Sequence, residues 1–330
     1  MKAWVQDRYG SADVLEFAEV ERPVPGEREV LVRVHAAAVN AADWHLMRGD
    51  PYVARLALGL RRPKERIRGR DFAGRVEAVG AGVTGLRPGD EVFGETPGTF
   101  AEYVCASEEV TERKPAGLTF EQAAALPLAG NTALMGLRDL GKVRPGAKVL
   151  TNGASGGVGT FAVQLAKAFG AEVTGVCSTR NAALVLGLGA DRVVDYTRED
   201  FTAGQDRYDV VFDLVGNRSL SELRRVLSPT GVLVLSGGGV FEGGSTFGPM
   251  GLILKGRLLS LFSGGRLHVL TAEPRRENLA ALRELAESGG IAPVVERTYP
   301  LDQAARALRY VEEEHARAKV VLSCPPPSAP

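Results

Sequence analysis

The chain has 330 residues, 45% of them hydrophobic and 24% charged, the make-up of an ordinary globular protein of about two domains. Forty basic and forty acidic residues cancel, so overall charge offers no footprint for nucleic acid and no general attraction to a membrane surface. Three cysteines, Cys105, Cys177 and Cys324, are widely spread, which excludes a disulfide framework or a CxxC site and fits a reducing, cytoplasmic compartment.

Residues 1–5 read as a strand with no signal-peptide apolar region, and no apolar run reaches transmembrane length. Residues 29–36 alternate with a period of two, residues 75–79 do the same, and Pro88-Gly-Asp90 is a turn feeding a strand at 91–93. Short strands without helices between them predict a small, mostly antiparallel barrel or sandwich. Residues 55–70 set Arg55, Arg61, Arg62, Lys64, Arg66, Arg68 and Arg70 against Glu65 alone. A solvated loop is the plain reading of this stretch; phosphate steering or contact with an acidic surface are the sharper ones.

Thr119 is placed to cap a helix with Glu121 and Gln122 in its first turn. From residue 148 the pattern changes to strands alternating with helices, with strands expected at 148–153, 172–177, 192–195, 208–215, 231–235 and 266–271. That alternation is the signature of βαβ units and a doubly wound parallel sheet. A helix at 276–288, a strand at 294–299, a helix at 301–314 and a strand at 319–322 then return to the first domain. The expected division is therefore 1–125 with 274–322 against 126–273, and 323–330 is expected as a loose tail.

The run Gly153-Ala-Ser-Gly-Gly-Val-Gly159 sits where the first of these strands hands over to a helix. Gly156 allows a close backbone approach to a pyrophosphate, and Gly159 allows tight packing of the helix on its strand. Ser155, Gly156, Gly157 and Val158 thus form a cofactor cradle at a positive helix end. The second strand ends in Cys177-Ser-Thr-Arg-Asn181, with no carboxylate to take a ribose 2′-hydroxyl. Ser178 and Arg180 are suited to a 2′-phosphate, which favours NADP(H); Thr179 and Asn181 belong to the same turn, where Ser178 and Thr179 can also cap the helix.

These features resemble the medium-chain dehydrogenase/reductase superfamily, in its zinc-free quinone oxidoreductase branch with the alkenal/enone reductases. The resemblance covers nearly all of residues 1–322. It is carried by Ala38-Val-Asn-Ala-Ala-Asp-Trp-His45, Gly69-Arg-Asp-Phe-Ala-Gly74, Val79-Gly-Ala-Gly-Val83 and Pro88-Gly-Asp-Glu-Val-Phe-Gly94. Leu126-Pro-Leu-Ala-Gly-Asn-Thr-Ala133, the glycine turn and His315-Ala-Arg-Ala-Lys319-Val-Val complete it. The resemblance implies a GroES-like β-barrel catalytic domain plus a Rossmann domain, with a cleft for nicotinamide and substrate. It places Asn40, Asp43, His45 and Thr132 near the nicotinamide and Tyr196 by the adenosine phosphate. Leu214, Val215, Ser236 and Gly237 fall along the cofactor, and Lys319 belongs to the same set with its role open. It also implies a homodimer through an edge strand of the Rossmann sheet.

Zinc alcohol dehydrogenases of this superfamily carry a Cys where Asn40 stands and a His where Arg70 stands. Residues 126–137 offer no Cys, Asp, Glu or His as a third ligand, so no metal is expected and alcohol oxidation is disfavoured. What remains is an oxidoreductase that moves hydride from NADPH to an electrophilic small molecule, a quinone or an α,β-unsaturated carbonyl. Asn40 and His45 are the candidates for polarising the acceptor oxygen, with Asp43 orienting one of them. Each has a plainer alternative: Asn40 satisfies backbone, Asp43 caps a helix, His45 touches only a ribose. An enoyl-thioester reductase and an NADPH-binding protein with negligible turnover are the competing functions.

Overall fold

The structure, a computed structural model, describes residues 1–236, 250–261, 263–314 and 316–324. The chain divides into two units: residues 1–131, 273–289 and 293 onward form the first, and residues 132–272 and 290–292 the second. The division falls within the helix Pro127–Leu134.

In the first unit the alternating residues at 29–36 belong to a longer strand, Glu29–Val39, that pairs antiparallel with both Asp71–Val79 and Tyr103–Ser107. Beyond Asp71–Val79 the sheet continues through Glu91–Glu95 to Thr111–Arg113. On the other flank of Glu29–Val39 lies Lys319–Ser323, which pairs in turn with Val295–Pro300. Inward side chains of these strands, among them Val30, Val32, Phe72, Val92 and Val320, bury a continuous apolar cluster. Thr119 caps its helix as expected, its hydroxyl accepting from the Gln122 N–H at 3.2 Å while Gln122 answers the Thr119 N–H at 3.0 Å.

Among the described residues the second unit holds a six-stranded, all-parallel sheet. Its spatial order is Arg192–Asp195, Glu172–Cys177, Lys148–Asn152, Tyr208–Asp213, Leu227–Leu235, Leu267–Val269. Read in chain order this is 3-2-1-4-5-6, the Rossmann arrangement, so the switch point lies where the first and fourth strands adjoin. The fourth strand is shorter than the expected 208–215. The Asp213 carboxylate accepts from the N–H groups of Val215 (3.2 Å) and Gly216 (3.0 Å), and this turns the chain out of the sheet.

Two expectations are corrected. Residues 55–70 are not simply a solvated loop: Arg55–Leu58 is helical, the Arg55 guanidinium lies over the rings of Tyr9 and Tyr52, and Arg68 is 5% exposed. The packing of aromatic faces under guanidinium groups, invisible in a charge count, holds this stretch. The tail does not begin at 323 either. Ser323 ends a strand, and Cys324 is buried with its N–H donating to the His35 carbonyl at 2.8 Å; residues 325–330 lie outside the described residues.

Candidate functional site

In the second unit the glycine turn begins with Gly153 at φ 88°, a conformation that only glycine adopts without strain. Its N–H and that of Ala154 both donate to the Val176 carbonyl, which ties the turn to the neighbouring strand. The helix Gly157–Ala168 follows, and its first intrahelical bond runs from the Thr160 N–H to the Gly156 carbonyl at 3.0 Å. The N–H groups of Gly157, Val158 and Gly159 precede that bond, and they are the donors a helix start offers to an anion. A Cβ on Gly159 would stand 2.0 Å from the Gly153 carbonyl oxygen, whereas one on Gly156 would meet only that oxygen, at 3.4 Å. Gly159 is thus needed for the turn itself, and the open side of Gly156 is a cradle that a side chain would fill.

Residues predicted around the cofactor gather here. The Asn181 amide donates to Ser155 Oγ (3.1 Å) and to Ser178 Oγ (3.3 Å), joining the glycine turn to the end of the second strand. Asn181 Oδ1 is buried without a partner among the described residues. Arg180, in the same turn, and Tyr196 are exposed, and the Tyr196 N–H donates to the Cys177 carbonyl at 3.2 Å. Leu214 donates its N–H to the Asn152 carbonyl at 3.1 Å, and a Cβ on Gly153 would touch the Val215 side chain. Ser236 closes the same row through its N–H to the Asp213 carbonyl at 2.9 Å. Gly237 lies outside the described residues, and Thr132 is buried in the helix Pro127–Leu134. Burial, with the Asp195 charge behind it, pushes the Cys177 thiol up to about 11, which leaves it a protonated strand residue rather than a nucleophile.

Sequence reasoning passed over Asp195. It is the register partner of Cys177 in the adjoining strand, and its carboxylate accepts from the hydroxyls of Thr179 and Thr197. Those hydroxyls hold its pKa below the usual carboxylate range. A carboxylate does stand next to the Ser178–Asn181 turn, but it is engaged by two threonines and by Arg198 at 3.6 Å.

In the first unit Asn40, Asp43 and Lys319 come together. Asn40 precedes the helix Ala41–Arg48, and Asp43 reaches back to accept from the Asn40 N–H at 2.8 Å. The Asn40 amide donates to Asp71 Oδ2 at 3.0 Å and accepts from the Lys319 ammonium, which also lies 3.5 Å from Asp71 Oδ2. Asp71 Oδ1 accepts from the Leu128 N–H at 3.0 Å. Across the strand pair, Asp71 is opposite Glu95, and Glu95 holds Arg70 at 2.8 Å. Asn40, Asp43, Asp71, Glu95 and Lys319 are all buried. Asn40 and Arg70, the positions that the resemblance sets against zinc ligands, are engaged here by buried polar partners, Asn40 by Asp71 and Lys319 and Arg70 by Glu95. Asp71 and Glu95 are the residues missed from sequence; each stands at the end of a strand next to buried residues, Asp71 at the start of one and Glu95 at the end of its partner.

Burial drives the Asp43 carboxyl up to about 7, opposed by the Asn40 N–H and reinforced by the Asp71 charge. Burial and Asp71 bring Glu95 to about 7 as well, against the pull of Arg70. His45, two residues after Asp43, stacks on Trp44 at 3.6 Å, and burial lowers its pKa, so its ring is uncharged at neutral pH. Positions two apart do not share a helix face, which separates His45 from the Asp43 side. A carboxyl whose pKa is raised on folding binds its proton more tightly in the folded state, so its contribution to stability is lost as pH rises from the unfolded value toward about 7. Asp43→Asn removes that dependence. Between pH 5 and pH 8 the variant should gain on the wild type by about 1–3 kcal/mol in urea unfolding; a constant difference would place the Asp43 pKa in the ordinary range.

Two family models match the chain: an alcohol dehydrogenase GroES-like domain over residues 26–116 and a zinc-binding dehydrogenase domain over residues 188–322. A mitochondrial NAD(P)H oxidoreductase of Mus musculus is 34% identical over 98% of this chain and 89% of its own length. A chloroplastic NADPH-dependent alkenal/one oxidoreductase of Arabidopsis thaliana is 35% identical over 98% of this chain and 79% of its own. Among solved structures, a quinone oxidoreductase from Coxiella burnetii superposes with a TM-score of 0.83 at 32% identity, covering 98% of this chain and 99% of that one.

Proposed function

The chain belongs to the zinc-free branch of the medium-chain dehydrogenase/reductase family, that of the quinone oxidoreductases and alkenal/enone reductases, and from that premise we propose that it is an NADPH-dependent reductase of quinones or α,β-unsaturated carbonyls. The observation that carries the reading is the joined cluster of Ser155, Asn181 and Ser178, set between a helix N-terminus and the end of the second strand. The residues present fit the cofactor: Gly156 leaves room for a pyrophosphate, and the first N–H groups of the helix would donate to it. Ser178 and Arg180 would take the 2′-phosphate, while Thr179 is given over to Asp195. The nicotinamide supplies the hydride when bound; this chain's part is to position it and to shape the field around the acceptor.

On the first unit, Asn40 is held rigidly by Lys319 and Asp71, so its orientation is set before any substrate arrives. An uncharged His45 is a poor store for a proton at neutral pH, and the acceptor's proton comes from water or from Asp43. Its substrates on this reading are small molecules, a homodimer remains what the family resemblance implies and a cytoplasmic setting what the spread cysteines imply; among the described residues no helix is long and apolar enough to cross a membrane. A second reading, reduction of an enoyl thioester, is favoured by one feature: Arg61, Arg62 and Lys64 are exposed and could hold carrier phosphates.

NADPH oxidation with a panel of quinones, enones and enoyl thioesters separates these readings. Turnover with the first two classes is expected. Tight NADPH binding with no turnover in any class would leave a binding protein. For the cofactor, Arg180→Ala should raise the KM for NADPH by about 10- to 100-fold and leave NADH nearly unchanged, the loss of a charge-assisted contact to one phosphate. Equal losses for both would remove the 2′-phosphate from this turn.

A further inference from the structure

In the first unit, residues 55–64 close on themselves in a turn held from several sides. The Gly59 N–H donates to the Arg55 carbonyl at 2.9 Å, and the Lys64 N–H to the Leu58 carbonyl at 2.9 Å. The Tyr9 hydroxyl donates to the Gly59 carbonyl at 2.7 Å. Gly59 itself takes φ 116°, and a Cβ there would stand 2.2 Å from the Arg62 carbonyl oxygen. The apolar residues of this stretch fall into two sets. Leu58, Pro63 and Ile67 are buried or half-buried and line a cavity together with Leu46. Leu56 and Leu60 are 72% and 69% exposed, and Tyr52 is exposed as well. Arg61, Arg62 and Lys64 follow at once, exposed and without an ion pair among the described residues, whereas Arg66 is held by Asp7 at 2.6 Å. A single exposed leucine is ordinary. Two in one turn, on a backbone fixed by other contacts and flanked by three unpaired cations, are the make-up of an interfacial anchor.

We propose that this turn docks the protein on the surface of an anionic phospholipid bilayer, with Leu56 and Leu60 entering the acyl boundary and Arg61, Arg62 and Lys64 meeting lipid phosphates. Docking of this kind neither needs the reductase activity nor follows from it. Charge complementarity supports it: the exposed cations are opposed within the turn by Glu65 alone, although the whole chain is neutral. Attraction to an anionic surface is therefore local and turns this face toward it. The leucines decide between occupants. Soluble phosphates would use the cations and have no use for Leu56 or Leu60. A stable protein interface takes about 20–30 residues a side, of which three apolar side chains are a small part, whereas a bilayer accepts single side chains. A cation close to an anionic surface contributes about fivefold in partition, so three give about a hundredfold, reduced by salt. Cations and leucines together give a reversible attachment that neither gives alone.

Sedimentation of the full chain with vesicles tests the docking. The wild type should pellet at low salt with vesicles of equal parts phosphatidylcholine and phosphatidylglycerol, and stay in solution with phosphatidylcholine alone. Its affinity for the mixed vesicles should fall as salt rises. Leu56→Ser with Leu60→Ser should lower that affinity about tenfold or more, and Arg61→Glu with Arg62→Glu and Lys64→Glu about a hundredfold or more. All five positions are exposed, so both variants should keep the wild-type Tm. Arg207→Glu with Arg224→Glu and Arg225→Glu makes the same change of net charge at exposed positions of the second unit. Binding by this control should stay within about threefold of the wild type. An equal loss in the control would make the attraction one of bulk charge and overturn the proposal. Wild-type affinity in the leucine variant would reduce the turn to a site for soluble phosphate. A changed oligomeric state of that variant by light scattering would assign the surface to a second copy of the chain. Either result overturns bilayer docking, as does a wild type that ignores the mixed vesicles at low salt. None of these outcomes bears on turnover of NADPH, which the acceptor panel decides.

Discussion

Gly159→Ala is expected to cost the dinucleotide unit about 3 kcal/mol or more and to abolish NADPH binding at working concentrations. The added methyl would sit 2.0 Å from the Gly153 carbonyl oxygen and 2.7 Å from the Ala154 carbonyl carbon. Both are backbone atoms, so no rotamer relieves the clash and the helix must withdraw from its strand. Gly156→Ala is the informative contrast. Its methyl meets one atom at 3.4 Å, and its backbone, at φ −79° and ψ 177°, suits any residue. Stability should then change by no more than about 1 kcal/mol, the cost of Ala at a helix N-cap. Affinity for NADPH should nonetheless fall by tens to about a hundredfold, because the methyl stands where a pyrophosphate approaches. Urea unfolding and fluorescence titration with NADPH check the pair. If Gly156→Ala bound NADPH like the wild type, the anion would lie elsewhere on this unit.

Lys319→Met should be the most damaging change in the first unit, about 3–5 kcal/mol, because it strands a fully buried Asp71 with its charge uncompensated. Burial already raises the Asp71 pKa, and protonation is the escape open to it. The penalty should therefore shrink as the pH falls and Asp71 takes up a proton. Adding Asp71→Asn to Lys319→Met should recover at least half of the loss, since the second change removes the stranded charge. Failure of that rescue would show that Lys319 acts through something other than Asp71. NADPH affinity of the folded variant separates two roles for this lysine. An unchanged value makes Lys319 a positioning residue for Asn40, and a large fall returns it to the cofactor.

Most of the dinucleotide unit was legible from sequence because its strands are buried on both faces and read as short apolar runs. Glu172–Cys177 and Arg192–Asp195 fall on their predicted bounds, and the glycine turn lies where strand meets helix. Legibility ended where a polar side chain redirected the chain, as Asp213 does after the fourth strand. It ended more sharply in the first unit. The contact of Lys319 with Asn40 spans 279 residues, and it exists because the last strand docks against the edge of Glu29–Val39. No local pattern encodes that pairing. The arginines of residues 55–70 look alike in sequence, yet Arg66 meets Asp7 in solvent, Arg55 covers aromatic rings and Arg68 is buried. Their different fates follow from neighbours distant in the chain.

The ion-pair network of the first unit bears on supply as well as on folding. Two of its buried carboxylates, Asp71 and Glu95, are paired with an ammonium on Lys319 and a guanidinium on Arg70, and both groups are covalently part of the chain. A barrel that balanced such charges with a dissolved ion would lose its balance to a chelator, to acid or to scarcity. Here each newly made molecule carries its own counter-charges at fixed stoichiometry, and neither can exchange or be stripped away.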